Sequence, residues 1–260
     1  MPGMWRRSLI IQADGARDFT TQVRWLQAQS LFVDLRQSAQ LADFPRLRCL
    51  NDLGMEECLQ LATQEGFAGR FGFDGECFEW RRLIDFQPPG LVADAGRLWW
   101  EDEVLIEAGR DVPYVEHWMR DPTVVTRPLA ALLLREQDAG VAAVAVQVGT
   151  VFMFARERAS ALGSGRSLGE CIAGAASLAA ARAMLDCEIT LGSAGFGSGP
   201  AGNGNLILAS THPWRVSETF QLACSDLGVR TLDIDPAGHS VFRRWEVLAA
   251  EGDPGAVWPA

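Results

Sequence analysis

Apolar side chains recur along much of this chain at every second position, the period of a strand with one buried face. Residues 5–12 and 18–25 alternate in this way around Ala13-Asp14-Gly15, and Asp-Gly supplies the positive φ angles of a tight turn, so the pattern predicts an opening hairpin. Ser30-Leu31-Phe32-Val33-Asp34-Leu35-Arg36 predicts a third strand. The period then changes: within residues 55–65, Cys58, Leu59, Leu61 and Ala62 fall at helical spacing, and Gly66 ends the helix. Strands are predicted again at residues 67–73, 77–86, 97–106 and 114–120, separated by Asp74-Gly75, Pro88-Pro89-Gly90 and Gly109. The first half reads β-β-β-α-β-β-β-β.

The second half repeats that order. A hairpin is predicted over residues 129–136 and 141–148, then a strand at 150–156. A helix over 167–185 follows, announced by the capping-box sequence Ser167-Leu168-Gly169-Glu170. Strands resume at 187–191, 206–209, 232–234 and 241–247. Displacing the chain against itself by 120 positions lays Leu26-Gln27 on Val146-Gln147, Leu31-Phe32 on Val151-Phe152 and Arg36 on Arg156. The shared order and these matches point to an internal duplication. The expected fold is mainly β, two similar units at residues 1–124 and 125–260, each of antiparallel strands with one helix.

Composition narrows the function classes. Hydrophobic residues at 48% and charged ones at 22% are ordinary globular usage, so neither half is expected to be disordered. The formal charge of -10 repels phosphate backbones and anionic lipid, which argues against nucleic-acid and membrane partners. Every basic side chain is Arg, which removes Schiff-base chemistry. The six cysteines and three histidines show no clustered zinc spacing, so no metal and no cofactor is expected. Gly197-Ser198-Gly199-Pro200-Ala201-Gly202 matches a dinucleotide fingerprint only as text, because Pro200 interrupts it and a strand follows where a helix is needed. The apolar run behind Arg6-Arg7 is too short for a signal or a membrane span, and a cytoplasmic, reduced protein is the expectation.

Trp25-Leu26-Gln27 with Ser30 to Arg36, Trp80-Arg81-Arg82 with Ile84-Asp85-Phe86-Gln87-Pro88-Pro89, and Tyr114-Val115-Glu116-His117-Trp118 resemble a bacterial family related to the fungal HRI1 proteins. That resemblance implies two tandem lipocalin-like β-barrels in one chain, and it supplies no activity. The chain departs from the pattern at Ala28-Gln29, where a Thr-Pro type turn is expected, with an altered entrance to the first barrel as one consequence.

Candidate chemistry follows from strand parity. Phe32, Asp34 and Arg36 share one face, and Leu31, Val33 and Leu35 share the other; if the aliphatic face is the covered one, Asp34 and Arg36 line the lumen. On residues 114–120, Tyr114, Glu116, Trp118 and Arg120 share a face, which is either an acid/base pair beside an aromatic platform or a solvated outer surface. The strand at 79–86 sets Arg82 with Trp80, Ile84 and Phe86, so that Arg82 either snorkels or neutralises a buried anion. Trp25, Trp80, Trp99, Trp100 and Trp118 concentrate in the first half and suit either a ligand wall or a barrel core. His212-Pro213-Trp214 either caps a strand end or marks a second pocket or the barrel interface.

These groups support a cofactor-independent enzyme, a lyase or isomerase acting on a small aromatic, phenolic or apolar molecule. Tyr114, Glu116, Asp34, Arg36 and Arg82 are the expected catalytic residues, and Trp25, Gln27, Phe32, Trp80 and Trp118 the expected ligand wall. A carrier of an apolar ligand and a protein-interaction module are the alternatives. An open lumen with convergent ionisable groups distinguishes the first from the other two. Edge strands at the barrel seams offer a route to a homodimer. The second barrel, with Phe154 where Asp34 lies, is read as supporting.

Overall fold

A computed structural model describes residues 1–41, 44–163, 166–196, 204–226 and 228–260. The segment 197–202 falls outside the described residues. The first half comprises β1 (Gly3–Gln12), β2 (Arg17–Asp18), β3 (Gln22–Gln27), β4 (Leu31–Gln37), α1 (Met55–Leu61), β5 (Glu65–Phe73), β6 (Phe78–Asp85), β7 (Ala95–Glu101), β8 (Val104–Gly109) and β9 (Tyr114–Arg120). Strands β1 and β3–β9 pair antiparallel in sequence order, and β9 returns to β1, so eight strands close a barrel with the two-residue β2 lying on β1. The second half comprises β10 (Leu129–Glu136), β11 (Ala142–Val148), β12 (Val151–Arg156), α2 (Leu168–Ala173), α3 (Leu178–Met184), β13 (Glu188–Phe196), β14 (Gly204–Ser210), β15 (Thr219–Ser225), β16 (Gly228–Ile234), β17 (Ser240–Gly252) and α4 (Pro254–Val257). Strands β10–β17 close a second eight-stranded barrel. Among the described residues no helix is long and apolar enough to cross a membrane.

The duplication appears in the register. Gln27 pairs with Phe32 across β3–β4, and Gln147 with Phe152 across β11–β12; Val23–Arg36 and Ala143–Arg156 repeat the same displacement. The weak seam is repeated too. β6 and β7 share only two residue pairs, as do β14 and β15, so each barrel splits at the same place in its strand order.

Four sequence expectations need correction. Residues 97–106 are not one strand but a hairpin, β7 and β8, turning at Asp102 in the left-handed region (φ 52°). Residues 18–25 leave the ladder between β2 and β3, because Asp18 Oδ1 accepts hydrogen bonds from the Thr20 and Thr21 amides and makes a side-chain turn there. The helix expected at 167–185 stops at Gly174 and restarts after Ser177, whose hydroxyl caps Ala180 N. Strand β15 was not anticipated, although Phe220 and Leu222 face inward at its alternate positions.

The largest apolar cluster lies between the barrels. Leu31, Val33 and Leu35 of β4 pack with Val144 and Val146 of β11, Met153 and Ala155 of β12, and residues of α1, α2 and α3. The aliphatic face of β4 is therefore covered by the second barrel as well as by helices. That commitment turns Phe32, Asp34 and Arg36 into the first lumen. Closure by β9–β1 and β17–β10 pairs the first and last strands of each barrel, which leaves β6–β7 and β14–β15 as the poorly paired seams.

The β3–β4 turn, expected as a barrel entrance, is instead a latch. The Glu251 carboxylate of β17 accepts hydrogen bonds from the amides of Gln29 (2.7 Å), Ser30 (3.0 Å) and Leu31 (3.0 Å) and from Ser30 Oγ (2.5 Å). A carboxylate in a nest of backbone amides makes charge-assisted bonds stronger than neutral ones. Glu251→Ala is expected to lower stability by about 2–4 kcal/mol, read from the urea midpoint. A loss no larger than that of the exposed Glu246→Ala would show that the latch carries no stability.

Candidate functional site

The lumen of the first barrel narrows onto a cavity of about 110 Å³ at the end bounded by Tyr114 and the β6–β7 split. Eight of the ten residues expected from sequence line it: Asp34 and Arg36 from β4, Trp80 and Arg82 from β6, Tyr114, Glu116 and Trp118 from β9, and Trp25 from β3. A wider mouth of about 510 Å³ shares Trp80, Arg82, Asp94 and Tyr114 with the cavity, and its other walls include Pro89, Gly90, Val92, Ala93 and Val112.

Gln27 and Phe32 lie outside this lining. Gln27 accepts the Trp25 indole N–H at 3.1 Å and donates to the Ala28 and Leu31 carbonyls, so its amide is consumed in locking the β3–β4 turn. Phe32 packs edge-on against Phe67 within the indole cluster, whose members include Trp5, Trp25, Trp80 and Trp118. His212 is buried, stacked on Trp214, and bonded through Nε2 to the Leu185 carbonyl at the end of α3 (3.0 Å); it ties down that helix rather than serving a pocket.

Two β-bulges decide which side chains enter the cavity. On β6 the register slips opposite Ala68/Gly69, leaving Leu83 exposed as the extra residue. Trp80 and Arg82 precede the bulge and face the site, while Ile84 and Phe86 follow it and join the inter-barrel core. The sequence reading, which put all four on one face, missed that change of parity. Gly69 permits the bulge, since a Cβ there would meet the Arg81 carbonyl oxygen at 2.0 Å. On β1 the register slips between Arg7 and Leu9, so Trp5 and Arg7 point inward before it and Ile10 after it.

The electrostatic centre is a pair of glutamates. Glu107 on β8 stands directly opposite Glu116 on β9, and both are buried (3% exposed each). Like charges in that position repel. Glu116 is compensated: Arg7 Nη1 lies 2.7 Å and Arg36 Nη1 3.7 Å from its Oε1. Glu107 has no cation within ion-pairing distance among the described residues; its oxygens accept from Tyr114 Oη (2.6 Å) and Trp118 Nε1 (2.9 Å). Burial, and then the charge of Glu116, push the Glu107 carboxyl well above the usual carboxylate range. The site thus favours the protonated form at Glu107, while two guanidinium groups face Glu116, an arrangement that lets a single pocket hold an acid beside a carboxylate. Sequence reading missed Glu107 because the single strand drawn at 97–106 stopped before it. The alternation of Leu105 with Glu107 after a turn at Asp102 was the available signal.

The other groups are placed around this pair. Burial raises the Tyr114 hydroxyl, and the neighbouring Glu107 carboxyl raises it further, so the phenol keeps its proton. Burial also raises Asp34, against the opposing charge of Arg36, whose Nε donates to Asp34 Oδ1 at 2.8 Å. Arg82 spans Asp94 (2.6 Å) and Asp85 (3.2 Å), with its guanidinium 3.5 Å from the centre of the Phe67 ring. With Glu107 protonated, its O–H can donate to Tyr114 Oη, which turns the phenolic proton into the cavity. A proton donor, a carboxylate and two guanidinium groups then face one small volume.

The interior of the second barrel holds an apolar cluster, with a pocket of about 620 Å³ bordered by Phe220, Leu222 and Trp258. Phe152, Phe154, Phe220, Leu222 and Trp245 belong to the cluster, as does Trp258, beyond α4, whose carbonyl accepts from Cys224 N (2.7 Å). Arg156, at the position of Arg36, is held by Asp186 (2.6 Å) and Asp233 (3.3 Å).

No family model and no curated protein sequence matches the chain. Among solved structures, the crystal structure of the uncharacterized protein YLR301w from Saccharomyces cerevisiae is similar, with a TM-score of 0.52 and 13% sequence identity over 97% of this chain and 100% of that one. The likeness is one of fold across both barrels.

Proposed function

We propose that the first barrel is a cofactor-independent acid/base enzyme of the lyase or isomerase type, acting on a small aromatic or phenolic molecule. The observation that carries this reading is the buried Glu107–Glu116 pair, Glu107 bonded to Tyr114 and pushed towards its protonated form, Glu116 paired with Arg7, both facing a cavity with Arg36 and Arg82. A carrier of apolar ligands has no use for so many ionisable groups in its lumen, since each is costly to bury. The 110 Å³ cavity admits only the reacting end of a substrate, and the 510 Å³ mouth, walled by Trp80, Pro89 and Val92, holds the rest. Tyr114, backed by Glu107, moves the proton, and Arg36 and Arg82 stabilise negative charge as it develops. Its first-half motifs resemble those of the bacterial relatives of the fungal HRI1 proteins, and the yeast structure is similar in fold. The six free cysteines fit a reducing, cytoplasmic compartment.

Mass spectrometry of small molecules retained by the purified protein identifies candidate substrates, and turnover of each is then followed. Tyr114→Phe is expected to lower kcat about a hundredfold with little change in KM, the usual share of one positioned proton donor. Retention of an apolar compound that the protein never converts, with affinity indifferent to Tyr114→Phe, would favour the carrier instead.

A further inference from the structure

A second cavity, of about 410 Å³, lies between the two barrels. Tyr114 and Arg120 stand at opposite ends of β9, so this cleft opens at the end of the first barrel away from the candidate site. Trp5, Trp100, Gln29, Arg120, Arg127 and Leu129 are among its walls.

Its charge is unbalanced. Neither Arg120 nor Arg127 lies within 4.0 Å of a carboxylate among the described residues, and Arg120 reaches only the Pro2 carbonyl oxygen (3.1 Å). Two guanidinium groups without an ion-pair partner thus meet at one cleft in a chain of net charge -10, whereas Arg36 and Arg156 inside the barrels are held by acids. A guanidinium without an internal partner offers a planar fork of donors to an external anion.

Its apolar wall is aromatic and partly open. Trp100 is 55% exposed and lies 5.9 Å, centroid to centroid, from Trp5. An exposed indole backed by a buried one makes a flat platform for a ring. The floor is rigid, since Gln29 N is held by Glu251, and Gly252 (φ +69°) lies so close to the Leu129 carbonyl oxygen that no Cβ fits. Walls fixed in advance reduce the ordering cost of binding.

We propose that this inter-barrel cleft binds a small aromatic anion, a one- or two-ring carboxylate or sulfonate, with its ring on Trp100 and its charge on Arg120 and Arg127. The volume is within the range of pockets that take such molecules. Trp5 also stacks on Trp25 at 5.7 Å, and Trp25 lines the first-barrel cavity, so an occupant of the cleft touches the far end of the indole cluster that walls the candidate site. The inference does not depend on whether the first barrel is catalytic.

The test uses anilinonaphthalene sulfonate as the aromatic anion and phenylnaphthylamine as its neutral counterpart, titrated by fluorescence into the full chain. One anionic probe per chain is expected. The exposed double substitution Arg120→Gln/Arg127→Gln should weaken the anion about tenfold or more and leave the neutral probe within about twofold, as expected for loss of charged hydrogen bonds. Trp100→Ala should weaken both. Equal losses for the two probes in the arginine variant, or none for the anion, would overturn the proposal. So would an anion response that Tyr114→Phe abolishes while the arginine variant leaves it intact, because the probe would then sit in the first barrel.

Discussion

Replacing Asp233 by Asn is expected to cost about 3–5 kcal/mol of folding free energy, the range for breaking a buried ionic cluster from one side. Asp233 is the acceptor around which the second barrel's charges are arranged: Arg215 Nη1 lies at 2.9 Å, Arg243 Nε at 2.6 Å and Arg156 Nε at 3.3 Å. Burial alone would raise this carboxyl, yet the three guanidinium groups outweigh it, Arg156 most, and bring it down to about 2. Asn keeps the shape and removes the charge, leaving Arg156 and Arg215 at 4% exposure with their principal anion gone. Glu188 and Asp186 remain nearby, Glu188 3.7 Å from Arg215 and Asp186 2.6 Å from Arg156, so part of the compensation survives and the fold is weakened rather than abolished. Chemical denaturation checks this, with Asp138→Asn as control, because the Asp138–Arg244 pair is exposed on both sides and contributes little. If the two variants shift the midpoint alike, the cluster does not hold the barrel.

Glu107→Gln is expected to separate activity from stability. On a substrate of the first barrel it should lower turnover by about 10²–10⁴-fold, because an amide cannot return a proton to Tyr114. Stability should change in the opposite direction. In the unfolded chain a Glu loses its proton near the ordinary value of about 4.3, whereas in the folded barrel Glu107 keeps it to well above that. Over that interval the folded chain binds more protons than the unfolded one, so this group's contribution is fully present below the unfolded value and is lost as pH rises through the folded one. Gln does not titrate. The melting temperature of Glu107→Gln relative to the wild type should therefore climb as pH rises from about 4. A difference that is flat with pH would mean that Glu107 is ionised in the fold and that the division of labour with Glu116 is wrong.

The parts of the site legible in the sequence are those on strands without irregularity. On β4 and β9 strict alternation holds, so Asp34 with Arg36, and Tyr114 with Glu116 and Trp118, can be assigned to common faces from spacing alone. Arg7, Glu107, Ile10 and Phe67 were not found. Arg7 and Ile10 lie either side of a bulge on β1, and Glu107 lies beyond a turn whose only local mark is Asp102 with positive φ. Arg82 was found, but in the wrong company, since the Leu83 bulge sends Ile84 and Phe86 to the other side of the sheet. Gln27, expected at the ligand wall, is instead spent on the turn it adjoins.

The sequence by itself determined the strand-rich architecture, its repeat at a displacement of 120 residues, and the concentration of ionisable and indole groups in the first half. Period-two alternation and turn residues are local properties, carried by neighbours a few positions apart. Tertiary structure alone decided which face of β4 is inside, by laying the second barrel over Leu31, Val33 and Leu35. It also decided the direction in which the Glu107 carboxyl is pushed. That shift comes first from burial and then from the charge of Glu116, nine residues along the chain but directly across the ladder. Electrostatic energy in a buried site is set by distance and desolvation, and neither is encoded by residue type or spacing.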